Sequence, residues 1–376
     1  MKVAVNCWIL RNKELDGIGY FTINAVSRMI RDNPGTHFQI LCDKKIKEAY
    51  FDFENVSKHH IFPPFRHPLL YFFYMELVLP FFLWKYQPNV FLSVDGILSL
   101  LSPCKQVAII HDINFEHNPK DLKLKNRIYY RFFFKRFAHK AKRIATVSDY
   151  SKSDIARYYK IDPSTIDNVS CASGGQFRPH SLKEVSIVRN KWSGDKPYFF
   201  FVGSMHPRKN IQRLIAAFNI FKLETQADCK LLLGGSILWS GSAITEVYIN
   251  SAFREDIIFT GRLSETDLQS LLGSALALTF VPVFEGFGMP LVEAMECGIP
   301  IICSNITSLP EVAGDAAITV DPYDIDAIAS AMKQVYVDPE LRKQLIERGY
   351  KQKKHFSWDK TSKLLWETIQ KVELGS

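Results

Sequence analysis

Short apolar runs of strand length recur along the chain, separated by stretches with helical spacing. This alternation limits the possible folds more than any other pattern. In the first half the runs are Val3–Val5, Phe38–Leu41, Val90–Ser93, Val107–Ile110 and Ile144–Val147, with a helical pattern over Gly19–Ile30. In the second half they are Phe199–Val202, Leu231–Leu233, Ile257–Thr260, Ala277–Val281, Ile301–Cys303 and Ile318–Val320. Continuous apolar strands alternating with helices demand parallel sheets covered by crossover helices on both faces. A chain of 376 residues exceeds what one hydrophobic core usually serves. The apolar pattern thins between Gln176 and Lys196, where Pro179, Ser181, Ser193, Gly194 and Pro197 fall. Two α/β domains are therefore expected, residues 1–178 and 179–356, followed by a helical tail over 357–376.

Two segments of the second half carry chemistry. In the first, Phe284-Glu285-Gly286-Phe287-Gly288-Met289-Pro290-Leu291-Val292-Glu293-Ala294 follows a buried strand. Glu285 then stands on the loop at the carboxyl end of that strand, and Glu293 in the first turns of a helix, where ligands bind in open α/β sheets. A carboxylate accepts paired hydrogen bonds from neighbouring hydroxyls, so two of them suit a sugar and a ribose. The glycines leave backbone N–H groups open to close approach. In the second, Phe199–Ser204 is an apolar run ending in small residues, followed by Met205-His206-Pro207-Arg208-Lys209-Asn210 and the helical pattern Ile211, Leu214, Ile215, Phe218. Asn210 reads as an N-cap. A helix start beside two adjacent cations attracts an anion, and a diphosphate fits. Either segment alone also reads as an ordinary capped helix or solvated turn; it is their convergence on one α/β unit that points to a site.

These residues resemble the family-4 retaining glycosyltransferases (glycosyl transferases group 1), which have the GT-B fold. The resemblance rests on Gly203–Asn210 and on the Glu-x7-Glu block from Glu285 to Glu293. Shorter matches are Asp16-Gly17-Ile18-Gly19, His111-Asp112, Thr146-Val147-Ser148 and Phe356-Ser357-Trp358. It implies two Rossmann-like parallel-sheet domains facing each other across a cleft, the first for the acceptor and the second for a nucleotide sugar, with the tail crossing back to the first. It also implies roles. Arg208 and Lys209 would hold the leaving diphosphate, and Gly203 and Gly17 would approach it. Glu285 and the backbone of Gly286, Phe287 and Gly288 would hold the sugar, Glu293 the ribose, and His111 would face the sugar in transfer. No metal and no further cofactor is then required. The expected reaction moves a hexose, with mannose from GDP-mannose as the leading choice, to a glycan or lipid-linked acceptor. Cys171-Ala172-Ser173-Gly174-Gly175-Gln176-Phe177 departs from the family, which often has Asn-Gly there.

Other classes fit less of the sequence. Gly17-Ile18-Gly19 lacks the third glycine of a dinucleotide fingerprint. Asp324-Ile325-Asp326 has the form of a metal motif but opens a helical pattern, where capping explains it better. A nucleotide-sugar epimerase, a phosphorylase and a non-catalytic nucleotide-sugar sensor remain as alternatives. The seven cysteines are scattered without a Cys-x-x-Cys pair, which reads as a reduced cytoplasmic protein with no zinc site. The start Met1–Asn6 reads as a strand and not a signal peptide.

The net charge of +8 is compatible with anionic substrates, nucleic acid or anionic membrane. No RNP, KH or zinc-finger pattern supports nucleic acid. Between Lys120 and Arg143 many cations interleave with Tyr129, Tyr130, Phe132, Phe133, Phe134 and Phe137. That segment suits the inner face of an anionic membrane, and equally a helix packing its aromatic face on a sheet. The apolar run Leu69–Trp84 is broken by Glu76 and Pro80, and reads as a buried or interfacial helix and not as a span of ~20 apolar residues.

Overall fold

The computed structural model describes residues 1–11, 15–44, 46–47, 49–61, 72–174, 176–236 and 243–375. Of the segments singled out above, Leu69–Tyr71 and Gly175 lie outside the described residues. The chain divides into two compact units, Met1–Ala172 with Ser357–Ser376, and Ser173–Phe356.

The first unit holds a seven-stranded sheet. Its strands are β1 (Lys2–Asn6), β2 (His37–Cys42), β3 (Val56–His60), β4 (Val90–Ser93), β5 (Lys105–Ile109), β6 (Arg143–Thr146) and β7 (Ile166–Asn168). Their order is β3-β2-β1-β4-β5-β6-β7, and every pairing is parallel. The alternation predicts the five inner strands. It does not predict β3 and β7, which are the two edges. An edge strand is covered less completely, so β3 tolerates Lys58, His59 and His60, and β7 is only three residues long. Neither carries the apolar run by which buried strands are read.

Glu76, which interrupts the apolar run in sequence, is buried. It accepts hydrogen bonds from the Leu100 N–H at 3.0 Å and the Leu101 N–H at 2.8 Å. A charge in an apolar helix is here an acceptor for a turn that would otherwise bury unpaired donors. Around it the backbone forms a π-helical turn, Tyr74–Val78, that runs on into the helix Leu79–Tyr86. Among the described residues no helix is long and apolar enough to cross a membrane. The C-terminal helix Trp358–Leu374 belongs to this unit. Lys371 pairs with Asp167 of β7 at 2.8 Å, Lys105 of β5 donates to the Val372 carbonyl at 3.0 Å, and the Trp358 ring meets Phe21 edge-on at 5.8 Å.

The second unit holds a six-stranded sheet of β8 (Tyr198–Val202), β9 (Lys230–Gly234), β10 (Ile257–Gly261), β11 (Ala277–Phe280), β12 (Ile301–Ser304) and β13 (Ala317–Val320). The order is β10-β9-β8-β11-β12-β13, again with all pairs parallel. Strand order therefore reverses between β8 and β11. That is the topological switch point of the sheet, where loops leaving adjacent carboxyl ends part to opposite faces and open a crevice. The pairing of β8 with β11 is short, Ala277 to Phe199 and Leu278 to Phe200. The segments that follow these two strands are the two singled out in sequence.

Candidate active site

The first loop is shaped by backbone contact. Beyond β8, Gly203 has φ 152°, and its N–H donates to the Gly234 carbonyl at 2.9 Å. A Cβ placed on Gly235 would lie 1.8 Å from the Gly203 oxygen. No side chain fits there, so glycine at 235 lets the ends of β8 and β9 touch. A single turn, Pro207–Lys209, follows, and His206 Nδ1 accepts the Arg208 N–H at 3.3 Å.

Asn210 then opens the helix Ile211–Thr225, but not as the capping side chain expected from sequence. Its φ is 63°. Asparagine tolerates this left-handed conformation better than most residues, and it directs the amide away from the first turn of the helix. Instead Asn210 Nδ2 donates to the carbonyls of Val281 at 3.0 Å and Pro322 at 2.7 Å. The residue fastens the cationic turn to the segment beyond β11, as does the Val283 N–H, which donates to the Arg208 carbonyl at 2.8 Å.

The second loop is pinned from β12. Ser308 Oγ lies 2.9 Å from the carbonyl oxygen of Glu285 and 3.1 Å from that of Phe287, sharing its proton between them. Gly288, with φ 99°, precedes the helix Met289–Cys297, and a Cβ there would meet Leu309 at 2.4 Å. Phe287 is buried, edge-on to Phe356 at 5.6 Å.

Across the switch point the two loops meet in one ionic cluster. Arg208 Nη1 donates to Glu285 Oε1 and, at 2.9 Å, to the Phe284 carbonyl. Lys209 Nζ donates to the same Glu285 Oε1 and stands 4.6 Å from the centre of the Phe280 ring. Lys209 and Glu285 are 7% and 9% exposed, so water screens them little. Burial pushes the Glu285 carboxyl upward, but the charges of Lys209 and Arg208 outweigh it and hold the group below its usual range. Glu285 Oε2 has no hydrogen-bond partner among the described residues. Two cations face one carboxylate oxygen. The would-be Cβ of Gly203 lies 3.8 Å from the Lys209 ammonium, so the bare glycine backbone adjoins that charge.

Glu293 is different. It lies just over one turn into the helix Met289–Cys297. Burial alone pushes its carboxyl up to about 7, with no neighbouring charge to offset it, and no hydrogen bond to it is found among the described residues. The structure thus brings Gly203, Arg208, Lys209 and Glu285 together, with Gly286, Phe287 and Gly288 on the same loop, and leaves Glu293 outside the ionic contact.

Gly17 and His111 belong to the first unit. Gly17 opens a helical turn capped by Asp16, whose Oδ1 accepts the Gly19 N–H at 2.9 Å. His111 follows β5, with Nε2 3.1 Å from the Val94 carbonyl and its ring edge-on to Phe21 at 4.9 Å. Burial lowers its pKa and keeps the imidazole neutral. Asp324 caps the helix Ile325–Val337, accepting the Ala327 N–H at 2.9 Å. Among the described residues no cluster of His, Cys, Asp or Glu has the form of a metal site.

Sequence reasoning missed Ser308 and Gly235. A Gly-Gly pair closing an apolar run, Gly234-Gly235, is a legible mark of close backbone approach. Nothing in the sequence around Ser308 distinguishes it from any other loop hydroxyl.

The sequence model described as "Glycosyl transferases group 1" matches residues 183–352. An O-antigen chain mannosyltransferase B of Escherichia coli is 34% identical over 267 residues, covering 68% of this chain and 67% of that protein. The chain is a group 1 glycosyltransferase. A serotype-specific mannosyltransferase WbdA of Escherichia coli is 30% identical over 278 residues, which is 72% of this glycosyltransferase but only 34% of WbdA. This chain therefore spans about a third of that relative. Among solved structures, a sucrose-phosphate synthase of Thermosynechococcus elongatus superposes with a TM-score of 0.77 over the full length of both chains, at 16% identity. That likeness speaks for the shared GT-B fold alone.

Proposed function

We propose that this glycosyltransferase moves a hexose from a nucleotide sugar to a glycan or lipid-linked acceptor, with retention at the anomeric carbon and without a metal ion. The observation that carries the reading is the pair Arg208 and Lys209 sharing Glu285 Oε1 at the switch point of the second sheet. In the reaction the bond from the anomeric carbon to the diphosphate oxygen breaks and a bond to the acceptor oxygen forms. The acceptor proton passes to the departing diphosphate, so no dedicated base is required. Negative charge grows on the leaving oxygen, and fixed cations in a buried site stabilise that growth most. Glu285 Oε2 would accept a donor-sugar hydroxyl, Gly286–Gly288 would offer backbone contacts, and Glu293 would hold the ribose. Gly17 is assigned to the diphosphate and His111 to the transferred sugar.

Mannose from GDP-mannose is the favoured donor, and the mannosyltransferases among the relatives support mannose as the sugar. The test is a thermal-shift screen over GDP-, UDP-, ADP- and TDP-sugars, then turnover with the stabilising donor. A ligand at about 100 times its dissociation constant adds ~2.7 kcal/mol to the stability of the state that binds it. Stabilisation by a UDP-sugar and not GDP-mannose would overturn the choice of donor. Interconversion of the nucleotide sugar without an acceptor, and with no nucleoside diphosphate released, would make the protein an epimerase. An inverted anomeric configuration in the product would remove retention.

The same proposal places the helix Leu124–Lys140 on anionic headgroups. Its Phe134 and Phe137 are buried in the core, whereas its many cations face outward and it contains no carboxylate. The expected location is the cytoplasmic side of a membrane.

A further inference from the structure

The helical segment ending at Tyr86 has two apolar faces, and only one of them is covered. Tyr74, Met75, Leu79, Phe82 and Leu83 are buried in the core of the first unit. Phe73, Leu77, Phe81 and Trp84 are 47%, 54%, 62% and 68% exposed. Steps of four, four and three residues set these four along one side of a helix. The rings of Phe81 and Trp84 approach to 5.8 Å. The stripe continues onto the neighbouring helix. Phe72 meets Phe133 at 5.7 Å, and Leu124, Ile128 and Phe132 are also exposed. Single exposed apolar residues need no explanation, but a continuous strip of this size marks a surface built for a partner.

The rim of the strip decides which partner. The two helices present Lys85, Lys125, Arg127, Arg131, Lys135 and Arg136. Their one carboxylate, Glu76, is turned inward onto the Leu100 and Leu101 N–H groups. Beside Leu124, Ile128 and Phe132 lies an open cavity of about 450 Å³, bordered by Arg127, Arg131 and Lys135. Glu116 at this cavity pairs with Arg131 at 3.5 Å and accepts hydrogen bonds from the Tyr158 hydroxyl at 3.1 Å and the Tyr159 hydroxyl at 3.0 Å. A second copy of the chain would set this cationic rim against itself in a two-fold pairing. An anionic lipid leaflet satisfies both parts, acyl chains for the strip and phosphates for the rim.

We propose that Phe73, Leu77, Phe81 and Trp84 insert among the acyl chains of an anionic leaflet, with the Leu124–Lys140 helix lying on its headgroups. The inference rests on the proposal that this helix faces an anionic membrane, and adds to it an inserted apolar edge. Charge then governs recruitment, and the edge governs retention when charge is screened. An enzyme held this way meets a lipid-linked acceptor in two dimensions.

The test uses the full chain with vesicles of phosphatidylcholine, with and without phosphatidylglycerol, in sedimentation. Wild type is expected to bind the anionic vesicles at low salt and to stay partly bound at about 1 M NaCl, where the Debye length is near 3 Å. Phe81→Ser with Trp84→Ser is expected to lower the partition coefficient ~100-fold, given the area the two rings bury, and to abolish retention at high salt. Its melting temperature and its turnover of a water-soluble acceptor are expected to stay as wild type. Trp84→Phe is expected to lose the part of the tryptophan emission that brominated lipid quenches. If the double variant is retained at high salt as well as wild type, and no quenching is traced to Trp84, the inserted edge is wrong while headgroup contact stands. If wild type ignores anionic vesicles at low salt, both fail. A concentration-dependent dimer, lost in the double variant, would overturn the lipid in favour of a second copy.

Discussion

Glu293 gives the sharpest prediction, because burial alone sets its proton affinity. Its carboxyl moves from 4.5 to about 7 with no compensating partner. In the unfolded chain it ionises near 4.5, so between about pH 4.5 and pH 7 the folded protein holds a proton that the unfolded chain has lost. Stability rises with pH only where the unfolded state binds more protons. Here the folded state binds more, so this group makes stability fall across that window and adds nothing further above it. At ~1.36 kcal/mol for each tenfold change in proton affinity, the loss comes to about 3 kcal/mol. Glu293→Gln keeps the size of the side chain and removes the titration. Relative to wild type it is expected to gain about 3 kcal/mol between about pH 4.5 and pH 8, whatever its offset at low pH. Urea unfolding of both proteins across that range measures it, and curves that run parallel would refute the reasoning. On the proposed function, ribose hydroxyls binding the carboxylate would release its proton. GDP affinity should then strengthen as pH rises through 7 in wild type and lose that dependence in the variant, as read by calorimetry in two buffers.

Lys209→Ala removes one of the two cations at Glu285 and is expected to lower turnover ~10²–10³-fold at saturating donor; wild-type rates would reject its role at the phosphate. Ser308→Ala takes the hydroxyl from the carbonyls of Glu285 and Phe287. It should cost about 1 kcal/mol in thermal unfolding and raise KM for the donor, whereas an unchanged KM would show that the loop holds its shape without the pin. Asp324→Ala loses a helix cap, worth about 1 kcal/mol, with turnover identical in magnesium and in chelator. A selective loss of magnesium-dependent activity would turn that residue from a cap into a metal ligand.

Much of the fold was legible because buried parallel strands announce themselves. Phe199–Val202 is apolar throughout, and Ala277–Phe280 is apolar but for the buried Thr279, since both faces are covered. The outer strands Val56–His60 and Ile166–Asn168 were not legible, since an edge needs less apolar surface. Within the site, Arg208, Lys209 and Glu285 were legible from residue type and from their place after a strand. Asn210 was misread because a capping signature is local, whereas its amide is claimed by Val281 and Pro322, 71 and 112 residues away in the chain. The same holds for Glu76, which in sequence is only an interruption of an apolar run.

Local information along the chain suffices for the two parallel sheets apart from β3 and β7, for the loops that carry charge and for the glycines that let backbones touch. Each of these follows from periodicity or from the conformational range of a single residue. That β8 and β11 are neighbours is a fact of the folded molecule. So is its consequence, that the cations after one strand share a carboxylate oxygen with the acid after the other. The position of Glu293 outside that cluster, desolvated and without a counter-charge, is likewise visible only in three dimensions. Strand order and burial are products of contacts distant in the chain, and no local pattern encodes them.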